Sequence, residues 1–129
     1  MKTGDQFTHT FTVTENIYNG FIGLFNDQNP LHTNTTFAKG KGFRDKVMHG
    51  NILNGFVSYF VGEMLPTKDV IIMQQEIKFP LPVYMNDELQ FTAQVKEEFE
   101  SVNAVEFTFS FKNADNKTVA KGKILIGKI

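Results

Sequence analysis

Cysteine and tryptophan are absent from this 129-residue chain, tyrosine occurs three times and proline four. Without a thiol there is no disulfide scaffold, no thiolate metal site and no cysteine nucleophile. Long hydrophobic runs are missing too. The longest, Val70-Ile71-Ile72-Met73, falls far short of the ~20 residues of a membrane helix, so no membrane span is expected. Nor is there an excess of either charge: 13 Lys and Arg against 14 Asp and Glu argue against a general surface for nucleic acid or anionic lipid. The start, Met1-Lys2-Thr3-Gly4-Asp5-Gln6-Phe7, leads into no apolar signal core, and a cytoplasmic protein is expected. What the chain has in surplus is phenylalanine, 14 residues, which predicts a large apolar interior shared with a partner or a greasy ligand.

The patterning predicts one domain, 1–129, with no repeat or linker. Phe7, His9, Phe11 and Val13 alternate with threonines, the period of a strand. Thr14 is placed to cap a helix whose apolar face carries Ile17, Phe21, Leu24 and Phe25 and which stops before Asn29-Pro30. Residues 33–48 read as a loop with a helical turn near Thr35 to Lys39. Gly50 to Met64 reads as a helix apolar around most of its girth, hence buried on several sides. After Pro66 come four extended stretches, Val70 to Phe79, Glu88 to Phe99, Ala104 to Asn113 and Thr118 to Ile126, separated by short turns. This order disfavours parallel winding and predicts an α+β fold, an antiparallel sheet curled around one central helix.

Polar residues able to do chemistry concentrate between Asn26 and Gly50. Asp27 and His32 lie just past a helix end, with Pro30 stiffening the turn between them, so a rigid loop can aim a carboxylate and an imidazole at one point. A neutral imidazole accepts a proton near pH 7 while a carboxylate orients water, which is the pairing water activation needs. The same residues also fit a plainer reading, in which Asp and Asn before Pro close an Asx-turn. His49 is read as support for the helix entry and His9 as packed or interfacial. Lys39, Lys41, Arg44 and Lys46 suit phosphates or an acidic carrier, although Asp45 inside the run equally suits a solvated loop. The Gly20/Gly23 and Gly40/Gly42 pairs lack the strand-to-helix context of a nucleotide-binding loop.

The run Asp27-x-Asn29-Pro30-Leu31-His32, with Ala38 after it and Val47-Met48-His49-Gly50 before a helix, resembles the signature of the MaoC-like (R)-specific enoyl-CoA hydratases. Phe79-Pro80-Leu81-Pro82-Val83 and Asn86-Asp87-Glu88-Leu89 are similar to a later segment of that family. The resemblance implies a hot-dog fold with a five-stranded antiparallel sheet wrapped on a long helix, and a homodimer or dimer of dimers with sites at the interface. It implies that Asp27 and His32 hold the catalytic water, that the Gly50 N–H meets the thioester oxygen, and that Ser58 belongs to the pocket. Asn29 shapes the loop and is placed to contact substrate. No metal or separate cofactor is implied; coenzyme A or acyl-carrier pantetheine enters as part of the acyl-thioester substrate. Asn26 and Asn86 depart from the family's small residues without removing a reacting group. The competing readings are a hot-dog thioesterase, for which Glu63 is the only acidic residue on the central helix, and a non-catalytic acyl-thioester-binding subunit.

Overall fold

A computed structural model describes residues Met1–Ile129. Five antiparallel strands form one sheet in the order β1-β3-β4-β5-β2, with β1 at Gln6–Thr12, β2 at Val70–Lys78, β3 at Glu88–Phe99, β4 at Ala104–Lys112 and β5 at Thr118–Lys128. The sheet wraps a central helix, α4 (Asn51–Tyr59), as the α+β hot-dog reading expects. In place of one α-helix to Met64, the last turn, Phe60–Met64, widens into a π-helix ahead of Pro66. Phe60 and Val61 stay buried through this turn.

The core explains why helix and sheet stay together. Ile52, Leu53, Phe56 and Val57 of α4 are buried and belong to one cluster with Leu89, Phe91, Val105, Phe107, Phe111, Ile124 and Ile126 of the sheet. Each such side chain contributes roughly 1.5–3 kcal/mol by leaving water. Aromatic edges do much of the interlocking: Phe60 meets Phe107 at 5.3 Å and Phe7 at 5.6 Å, both T-shaped, and Phe11 stacks on Phe56 at 4.5 Å.

Helix α1 (Glu15–Phe25) starts where expected, with Thr14 accepting from the Ile17 N–H at 3.1 Å. Its inward face differs from the expected one. Tyr18 is its buried residue, whereas Leu24 and Phe25 are 80% and 69% exposed. The helical turn expected near Thr35 to Lys39 is α3 (Thr35–Gly40), and a second short helix that was not expected, α2 (Pro30–Thr33), precedes it. Both are set by asparagine caps: Asn29 accepts from the Leu31 N–H and Asn34 from the Phe37 N–H, each at 2.9 Å. Pro30 at the first helical position needs no donor. No helix is long and apolar enough to cross a membrane.

At one edge of the sheet, β2 carries Ile71, Ile72 and Met73 in the open, 52%, 39% and 57% exposed. Its register slips between Ile72 and Gln74, a bulge at Met73. Beyond the bulge Gln75 pairs with Ile124, a core residue, so Gln75 faces the helix side.

Candidate active site

Asn26 ends α1 in a left-handed conformation (φ 57°), a geometry asparagine tolerates, and the chain turns straight into Asp27. The Asp27 carboxylate accepts from the Asn29 N–H at 3.2 Å, so the Asx-turn exists alongside any functional role. Asn29 spends its side-chain oxygen on capping α2 and serves the loop.

His32, on α2, is held from two sides. The Tyr18 hydroxyl donates to its carbonyl oxygen at 2.6 Å, and its own Nδ1 lies 2.7 Å from the Val47 carbonyl oxygen. A carbonyl only accepts, so Nδ1 carries a proton and Nε2 is the nitrogen left for base chemistry. His49 shows the opposite pattern: its Nε2 donates to the Asp27 carbonyl at 2.8 Å, leaving Nδ1 buried without a partner. The two imidazoles pack against each other, 4.1 Å between centroids with their planes tilted by 31°. His49 thus supports the helix entry as expected, and it also fixes the Asp27 backbone and floors the His32 ring.

Donor atoms of Asp27, His32 and His49 all lie within 4.8 Å of one another, so the structure brings the expected pair together and adds a third member. The three are close enough to be weighed as cation ligands. His49, however, has its Nε2 committed to the Asp27 carbonyl, and the only nitrogen it has left to offer, Nδ1, is buried. The arrangement suits proton transfer better.

Gly50 precedes α4, and its N–H has no backbone acceptor. Its φ of −57° is open to any residue; what crowds a side chain here is Phe79, whose ring would lie 3.1 Å from a Cβ at this position. The helix entry is tied down by the Met48 N–H donating to the Val83 carbonyl at 2.8 Å, so the Pro-Val segment supports the site from outside. Asn86, with φ 68°, makes the turn that returns the chain to β3.

Two clefts meet here. One, about 800 Å³, runs between α1 and α4 past Ile17, Phe21, Phe25 and Phe56 and includes Asp27. The other, about 500 Å³, includes His32 and Gly50 and is walled by Phe43, Val47, Phe79 and Leu81. Ser58 is not brought in: it is exposed and lines neither cleft within one chain, because at about 100° per residue eight positions turn it away from Gly50. His9 packs on Phe11 and Tyr59, far from this chemistry. Glu63 is exposed, pairs with Lys68 at 3.1 Å and lines neither cleft.

The basic stretch is pinned on rings: Lys46 stands 4.7 Å over Tyr18, Arg44 4.2 Å over Tyr84, and Lys41 5.3 Å over Phe37. Asp45 joins its two ends. The Thr35 hydroxyl and the Lys46 N–H donate to its carboxylate and hold its pKa below the usual value, assisted by the charges of Lys39 and Lys46.

The residues that patterning missed are Tyr18 and Val47, whose hydrogen bonds orient His32. A tyrosine three residues before Phe21 on a helix aimed at the loop was the available signal for the first. A backbone carbonyl leaves none.

The MaoC like domain family model matches residues 2–116. The (R)-specific enoyl-CoA hydratase of Rhodospirillum rubrum is 33% identical over 95 residues, 74% of this chain and 66% of that protein. The (R)-specific enoyl-CoA hydratase of Aeromonas caviae is 38% identical over 76 residues, 59% of this chain and 55% of that one. The chain therefore spans less than two thirds of the length of either curated relative. Among solved structures, the (R)-hydratase from A. caviae involved in PHA biosynthesis superposes with a TM-score of 0.91 at 24% identity, over 100% of this chain and 98% of that one, and shares its fold. With a family match over nearly its whole length and this shared fold, the chain belongs to the MaoC-like domain family.

Proposed function

We propose that this protein is a hydro-lyase that reversibly adds water to a trans-2-enoyl thioester, giving the (R)-3-hydroxyacyl thioester. The observation that carries the reading is the meeting of the Asp27 carboxylate and His32 Nε2 where two clefts join, with the open Gly50 N–H beside them. The names of the R. rubrum and A. caviae relatives support the same chemistry.

In this mechanism the Asp27 carboxylate orients a water molecule and His32 Nε2 takes its proton as the oxygen bonds to C3. The C2=C3 electrons shift toward the thioester oxygen, where the Gly50 N–H and the positive end of α4 receive the developing charge. The enolate collapses as C2 takes the proton back from His32, leaving the enzyme unchanged. The α1–α4 cleft takes the acyl chain. The His32 cleft takes the thioester arm, so coenzyme A or carrier pantetheine is part of the substrate rather than a cofactor. Asn29 acts by holding the loop. Hydrolysis is not favoured, since Glu63 is remote from both clefts and neutralised by Lys68.

The working form is a homodimer. The exposed apolar edge of β2 is a template for a second strand, and the open stripe of α4 that carries Gly55 and Ser58 lies bare in one chain. Ser58 reaches a pocket only through such a second copy.

The test is loss of the conjugated enoyl-thioester absorbance with purified protein. Asp27→Asn and His32→Ala should each slow hydration by at least about 100-fold, the scale of a lost general acid–base group, with the fold retained and His32→Ala melting a few degrees lower for the lost Val47 hydrogen bond, about 1 kcal/mol. Substantial activity in either folded variant sinks the dyad; free thiol released from an acyl-CoA would point to a thioesterase instead.

A further inference from the structure

One residue, Asn51, lines both clefts. It is exposed, it opens α4 directly after Gly50, and its side-chain oxygen is engaged from within the helix. The Gln75 amide nitrogen on β2 donates to the Asn54 side-chain oxygen at 2.5 Å, and the Asn54 nitrogen donates in turn to the Asn51 oxygen at 2.8 Å. Asn54 and Gln75 are half-buried, and the bulge at Met73 is what turns Gln75 toward the helix. A chain of amides linked this way has a direction, since each spends its nitrogen on the next oxygen. The last member, Asn51, therefore has its oxygen occupied and its NH₂ unspent.

We propose that Asn51 is a further catalytic residue, whose NH₂ donates to the thioester oxygen beside the Gly50 N–H, and that Asn54 and Gln75 are positioning residues that set its polarity. The inference rests on the hydratase reading above. A thioester whose acyl chain fills one cleft and whose arm fills the other must cross the junction where Asn51 stands, with the reacting carbons between Asp27 and His32. A donor there gains most as charge develops on the oxygen, so it acts on kcat more than on KM.

The direction of the relay makes the proposal testable from a distance. Asn51→Asp keeps size and acceptor but removes the donor, and a carboxylate in the first helical turn favours folding. Gln75→Glu can only accept, so Asn54 must turn its nitrogen toward residue 75; Asn51 then donates to Asn54 and presents its oxygen to the site. Initial rates on a short trans-2-enoyl-CoA, beside thermal melts, should show kcat reduced about 10-fold or more in Asn51→Asp, below the 10²–10³ of a fully enclosed donor. KM should change little. Gln75→Glu should lower kcat in the same sense, and combining the two changes should add little to Asn51→Asp alone. An active wild-type enzyme whose folded Asn51→Asp variant keeps kcat within about twofold, well under the cost of a lost oxyanion donor, overturns this proposal and leaves the hydratase reading standing. Unchanged kcat in Gln75→Glu overturns the relay. A wild-type chain that hydrates no enoyl thioester overturns the reading and the proposal together.

Discussion

At the residue scale the site depends on small atoms in crowded places. Gly50 is the sharpest case, because the constraint on it is a neighbour rather than a dihedral angle. Gly50→Ala should leave the melting temperature within about 3 °C, since the Phe79 ring is 46% exposed and can swing aside. The displaced ring then crowds the His32 cleft, so KM for an enoyl thioester should rise about threefold to tenfold, roughly 1 kcal/mol of binding. Phe79→Ala in the same chain should restore it; failure to do so would show that Gly50 matters for another reason. Asp27 and His32 were placed on one loop by their spacing around Pro30, and the structure does bring them together, whereas Gly50 was singled out only through the family resemblance. Tyr18 and Val47 were not legible, because one hides in a helical face already assigned to packing and the other acts through its carbonyl. Ser58 shows the limit of carrying a position over by motif: its exposure in a single chain depends on what lies opposite α4.

At the element scale the sheet holds its curvature through close approach. A Cβ on Gly122 of β5 would overlap the Glu76 carbonyl oxygen of β2 and come within 2.9 Å of the Phe109 ring. Gly122→Ala should therefore cost about 3 kcal/mol, the upper end of ordinary overpacking, and lower the melting temperature by about 10 °C. Gly23→Ala serves as the control: nothing lies within 4 Å of its Cβ, and the gain in helix propensity should make it neutral or slightly stabilising. The strands were legible from alternation, most clearly through Phe107, Phe109 and Phe111, all buried. The bulge at Met73 was not, because an extra residue in one strand only shows against its partner. The π-turn at Phe60 was likewise invisible, since its side chains keep the apolar character of the helix they extend.

For the whole molecule, the phenylalanines divide as their elements do. Phe21, Phe25 and Phe56 line the cleft between α1 and α4 and Phe43 the other, whereas Phe60 is core and Phe37 is exposed and lines neither. Chain position does not separate the phenylalanines that line a cleft from those that hold the fold; packing does. In the homodimer proposed above, the apolar edge of β2 joins the two copies. The wild-type chain should sediment at about twice 14.7 kDa, and the double change Ile71→Lys, Met73→Lys should yield a monomer, since edge lysines block strand addition. A variant that stays dimeric would place the interface elsewhere.

The paired histidines carry one more consequence. His32 holds its proton on Nδ1 and His49 on Nε2, so two rings 4.1 Å apart are opposite tautomers of the same heterocycle. Nitrogen NMR separates those tautomers without any ligand, which gives the resting site an internal spectroscopic reporter in which one imidazole serves as the reference for the other.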